Sequence, residues 1–138
     1  MIVQGQTTSF KKELYEAIHN FTTDTFKIAL YTANATLNQD TLAYTAIGEI
    51  LGTGYTAGGS SLVNPIVSSA SGVAYISFDN ISWTSASFTV RGALIYNSSK
   101  ANRSVAVLDF GSDKVTTSTF TITFPANTST SAIIRSSN

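Results

Sequence analysis

Two apolar runs joined by a polar centre constrain this chain more than any other feature. They lie within RGALIYNSSKANRSVAVLDFG, Arg91 to Gly111. Folding the stretch about Asn97 to Arg103 sets Tyr96 opposite Ser104, Ile95 opposite Val105, Leu94 opposite Ala106, Ala93 opposite Val107 and Gly92 opposite Leu108. Arg91 then falls opposite Asp109, so two isolated charges become a cross-strand pair that fixes register. In this register one face carries Ala93, Ile95, Val105 and Val107, and the other carries Val90, Leu94, Ala106, Leu108 and Phe110. An antiparallel hairpin usually turns one face to water. A hairpin apolar on both sides needs two covers, and at roughly 25 cal/mol per Å² an uncovered face would drive association. The core supplies one cover. The N-terminal helix or another subunit is expected to supply the second.

The rest of the chain reads as mainly β. Phe26–Thr32 alternates as a strand, and Val73–Phe78, Ile81–Trp83, Phe88–Tyr96, Val105–Phe110, Phe120–Phe124 and Ala132–Arg135 follow between turn signals. Leu62–Val67 is a weaker strand, and Pro65 places it at an edge. Phe10, Leu14, Ala17, Ile18 and Phe21 recur at helical spacing, which predicts an amphipathic helix over Ser9–Phe21 with Thr8 or Ser9 as its N-cap. Ala43–Leu51 is a candidate short helix, with Gly52 as its stop. The expected architecture is an antiparallel β-sandwich or barrel-like domain with one N-terminal helix. Residues 1–8 form an arm or an extended strand, and residues 9–138 form a single domain.

Charge is scarce. Charged residues make up 12% of the chain, against roughly 25% in ordinary globular domains, and the net charge is zero. The polar surface must come from Ser, Thr and Asn, which is cheap to desolvate and poorly protected against self-association. No basic patch points to nucleic acid, and no apolar run approaches the roughly 20 residues of a membrane helix. The opening MIVQGQTTSFKK lacks the pattern of a secretory signal. No cysteine is present, so no disulfide or thiolate metal site is expected.

Catalytic constellations are weak. His19 is the only histidine, lies off the expected apolar helix face and reads as solvated. No Gly-x-Ser-x-Gly elbow accompanies it. Asp79, Asp109 and Asp113 stand strand lengths apart, and Asp79 and Asp113 read as turn formers rather than a glycosidase pair. GTGYTAGG, Gly52 to Gly59, lacks the Gly-Lys-Ser/Thr ending of a phosphate loop. It reads as a mobile contact loop, with Gly54, Gly58 and Gly59 shaping it and Tyr55 as its anchor. Tyr75, Trp83, Phe88 and Tyr96 could stack on sugars, but at strand spacing they read as core. No cofactor is expected.

DTFKIALYTANATL, GTGYTAGG, VRGALIYN, SVAVLDFGSDK and TFTITFPANTSTSAIIR, in this order, resemble small structural proteins of tailed bacteriophages. The likeness runs from about Phe10 to Arg135. It implies a non-enzymatic virion component made in the cytoplasm of the bacterial host. Its partners would be other virion proteins and its own copies, with no nucleic acid or membrane. The role expected first is a capsid decoration or cement protein. A tail, neck or baseplate component, or a carbohydrate-binding host-recognition module, are the alternatives.

Overall fold

A computed structural model describes residues 1–137. The protein is mainly β, with one short helix near its N-terminus. In chain order the elements are β1 (Gly5–Gln6), α1 (Thr8–Tyr15), β2 (Phe26–Tyr31), β3 (Ser60–Ser61), β4 (Ile66–Ala70) and β5 (Val73–Ser77). Then come β6 (Ile81–Trp83), β7 (Phe88–Asn97), β8 (Arg103–Thr116), β9 (Phe120–Ile122) and β10 (Ile134–Ser136). A five-stranded sheet has the order β1-β8-β7-β2-β3, a three-stranded sheet the order β10-β5-β4, and β6 pairs with β9. Every named pairing is antiparallel. The arrangement is β-sandwich-like: Ile28, Leu30, Ala93, Ile95 and Leu108 of the large sheet share one core with Phe78, Trp83, Ile122 and Ile134 of the smaller sheets.

The central hairpin forms, but its register departs from simple counting. Tyr96 does face Ser104, whereas Ile95 faces Ala106, Leu94 faces Val107, Ala93 faces Leu108 and Gly92 faces Asp109. The slip arises between Ile95 and Tyr96, where Val105 is an extra residue on β8. Val105 and Ala106 consequently both enter the core, and Val107 moves to the opposite face with Leu94. A second irregularity between Val90 and Gly92 returns Val90 and Phe88 to the core side.

Both faces of the hairpin are buried, and the chain covers both itself. Ile2, Ala35, Leu37 and Tyr44 pack on Leu94, Tyr96 and Val107. Neither the helix nor another subunit supplies this second cover; Phe10 of α1 joins the main core instead. The first residues are therefore docked along the molecule. The Met1 amine donates to Ala35 O at 2.9 Å, Ile2 bridges to Leu37, and β1 pairs with β8. Gly92 makes room for this strap, because a Cβ there would lie 2.9 Å from Ile2 Cδ1 and 2.5 Å from Leu108 O.

The covering segment over residues 33–50 runs as turns joined by isolated bridges, without the short helix expected at Ala43–Leu51. Isolated bridges tie Ala43 to Arg103 and Glu49 to Tyr31, so the sheet claims backbone groups that a helix would have used internally. The N-terminal helix is likewise shorter than its periodicity predicts. Thr7 is its N-cap, with Oγ1 accepting from Phe10 N. Past Glu16 the backbone turns left-handed at Ala17 (φ 57°), with Ile18 N donating to Glu13 O and Ala17 N to Leu14 O. That is a Schellman stop. It frees Phe21 to stack on Phe26 at 4.2 Å and His19 to fold back beside Phe10.

Candidate functional site

The surface that stands out is the three-stranded sheet, and its shape follows from a tight turn. Ser71 and Gly72 both have positive φ (53° and 78°), the conformation of a two-residue type I′ hairpin. The turn pairs Ala70 with Val73, Ser69 with Ala74, Ser68 with Tyr75, Val67 with Ile76 and Ile66 with Ser77. In such a hairpin the residues flanking the turn exchange hydrogen bonds, and bonded and non-bonded pairs alternate from there. Ile66, Ser68 and Ala70 thus bond inward to β5. Val67 and Ser69 point their N–H and C=O groups out of the open edge.

The same alternation turns the Arg135 carbonyl out of the far edge of β10. There Gln6 Nε2 donates to it at 2.7 Å, so that edge is capped by the chain itself. β4 has no such cap among the described residues. All five of its residues are exposed, Ile66 at 55% and Val67 at 52%. Behind β4 a groove of about 410 Å³ separates the inner face of this sheet from the end of the helix. Val67, Ile76 and Ile134 line one wall, and Leu14, Ala17 and Phe21 line the other. No charged residue occurs from Leu62 to Phe78.

The sequence-predicted site residues lie elsewhere. Arg91 Nε is 3.2 Å from Asp109 Oδ1, although Gly92 rather than Arg91 stands opposite Asp109. A hydrogen bond from Gly111 N, then the Arg91 guanidinium, holds the Asp109 carboxyl below its ordinary value. The glycine-rich loop is fastened to its own sheet. Tyr55 points inward, with its hydroxyl accepting from Leu30 N at 3.0 Å and donating to Glu49 Oε2. Gly58 N donates to the same Glu49 oxygen at 2.7 Å, and Tyr96 donates to Gly58 O at 2.6 Å. Gly54 backs onto Ala86, and Gly59 onto the Ile28 carbonyl. Burial and the Glu49 carboxylate together raise the Tyr55 and Tyr44 hydroxyls, Tyr44 to about 12. Trp83, Phe88 and Tyr96 are buried, which leaves Tyr75 without an aromatic platform for a sugar.

His19 is not solvated. It is enclosed, and both ring nitrogens are occupied: Nε2 lies 2.8 Å from Glu13 Oε1, and Asn97 Nδ2 lies 3.0 Å from Nδ1. Asn97 Nδ2 also donates to Asp24 at 2.8 Å while its Oδ1 accepts from Ser99 N, so the amide orientation is fixed. Nδ1 is therefore an acceptor, and the ring donates through Nε2 to Glu13. Arg103 and Lys100 close the two ends, at 2.7 Å from Glu13 and 2.8 Å from Asp24. Burial raises the Asp24 carboxyl, but Lys100, Asn97 and Asn20 N outweigh it and bring the value to about 2. Burial also acts upward on Glu13, and its bonds from His19 and Arg103 hold it below its usual value. The acceptor nitrogen, Nδ1, is taken by Asn97 inside an enclosed site, so no His19 lone pair faces an outside molecule. This network was missed by sequence reasoning, since its members come from two stretches far apart in the chain, residues 13–24 and 97–103, and no spacing announces that they meet.

No family model, curated protein or solved structure matches this chain.

Proposed function

We propose that the protein is a non-enzymatic structural component of a tailed-bacteriophage virion, a decoration protein that packs on the capsid in association with its own copies. The observation that carries the reading is β4, a strand exposed at every residue, with one edge unpaired among the described residues and with Ile66 and Val67 open to solvent. A surface with so little charge loses little when it is desolvated against a neighbour. The ordered likeness of five segments to small virion proteins supplies the particle. The groups that might have done chemistry are spoken for: His19 is bonded at both nitrogens, and Glu49 is held by Tyr44, Tyr55 and Gly58.

The support for assembly comes from the small sheet, not from the hairpin whose second face suggested it. That face is covered within the chain. Quantitative mass spectrometry of purified particles tests the proposal. The protein is expected at a copy number comparable to the shell subunit, and stripping it should leave tailed particles with a weaker shell. Few copies that follow the tail would replace decoration with a tail role. Absence from the particle would overturn the virion reading.

A further inference from the structure

We infer that β4 pairs with β4 of a second copy, antiparallel about a two-fold axis at Ser68, joining two three-stranded sheets into one of six strands. The inference rests on the assembly reading above and names its interface. Val67 and Ser69 flank Ser68 symmetrically, and these are the residues whose backbone groups point outward. Placing Ser68 opposite Ser68 of the copy sets Val67 opposite Ser69 on both sides of the axis. Each of those two pairs exchanges two hydrogen bonds, and the Ser68 pair is of the close, non-bonded kind. The outward pattern is thus its own complement.

The occupant follows from what the edge lacks. Natural edges are blunted by shortness, charge, bulges or covering segments. The large sheet uses shortness, ending in strands of two residues at both sides, and β10 is capped by Gln6. β4 has five residues and no register irregularity, with Pro65 before it rather than within it. A charged partner would find no counter-charge from Leu62 to Phe78, whereas an identical neutral strand meets no repulsion. Opposite residues share a face, so Val67 and Ser69 of the copy lie on the groove side and extend the apolar wall there.

The experiment is sedimentation of the purified full chain over a wide concentration range. Wild type is expected to dimerise with concentration. Ser68→Lys and Ser68→Glu place like charges at the axis on an exposed face, and each alone should dimerise at least about fivefold more weakly. An equal mixture of the two should recover the dimer, and added salt should weaken that recovery. Ser69→Pro deletes an outward donor without touching the bonds to β5, and it should abolish pairing while circular dichroism and melting of the dilute chain stay unchanged. Wild type that stays monomeric at every concentration overturns the inference, as do single variants that dimerise as tightly as wild type. A monomer that is nonetheless abundant in particles removes the strand pairing and leaves the virion reading standing. A Ser68-dependent dimer absent from particles does the reverse.

Discussion

The large sheet and the small sheet solve the same problem in opposite ways. In the large sheet, Leu94 and Val107 on one face and Ala93 and Val105 on the other are all fully buried. In the small sheet, β4 is exposed throughout and β5 is only partly sheltered. The large sheet sits between a core and a strap of its own chain, and it ends in two-residue strands that offer little to a neighbour. The small sheet has one edge capped by Gln6 and the other open. Stability is thereby concentrated where the chain covers itself. The part it does not cover is the part on which the proposed association rests.

Truncation on the strap side would break that comparison most sharply. Leu94→Ala empties a fully buried site between the hairpin and the covering residues Ile2, Ala35 and Leu37. A loss of about 2–5 kcal/mol is expected, read as a shift in denaturant midpoint of the dilute chain. A loss under about 1 kcal/mol would mean that the strap covers the second face only loosely, and an associating copy would again be needed there.

The buried polar network offers a smaller effect with a pH signature. The Asp24 carboxyl sits at about 2 in the folded chain against an ordinary 3.8. A lowered folded value favours the charged form, so its contribution is complete above about pH 4 and fades as pH falls toward 2. Glu13 is shifted in the same direction. Wild type should lose stability through that acid window, and Asp24→Asn should lose less there because it has already forfeited the Asp24 share. Parallel acid titrations of melting temperature check this. Equal slopes for the two proteins would show that Asp24 is not held by Lys100 and Asn97 in solution.

Period-two alternation and turn residues made most strands legible, including the hairpin around Asn97–Arg103; the weak edge strand expected at Leu62–Val67 instead starts after Pro65, at Ile66–Ala70. Register was not legible, because the extra residue at Val105 carries no signature and one bulge exchanges Val107 with its neighbours between faces. The second cover was not legible either. Ile2, Ala35, Leu37 and Tyr44 lie in segments without periodicity and become a layer only once the sheet draws them down. The helix pattern through Phe21 was real as hydrophobic spacing, but the aromatic stack on Phe26 and the His19–Glu13 bond outweigh another turn of a short helix. Tyr55 was noticed for its place in a glycine-rich loop. Its inward direction depends on Glu49, six residues earlier, and on Leu30 across the sheet.

The smallest expected effect falls on the open edge. Ile66 is 55% exposed at the first position of β4, and its bonds to Ser77 use backbone alone. Ile66→Ala should change the stability of the dilute chain by no more than about 0.5 kcal/mol, the usual range for an exposed site. The substitution removes apolar surface from the outer face of β4 without altering the outward groups of Val67 and Ser69. Any larger loss in the denaturant midpoint must therefore come from a neighbour that buries Ile66. A loss that grows with protein concentration would assign that neighbour to a second copy. A large loss that stays constant on dilution would mean that the small sheet shares in the fold's stability, and the division of labour between the two sheets would fail.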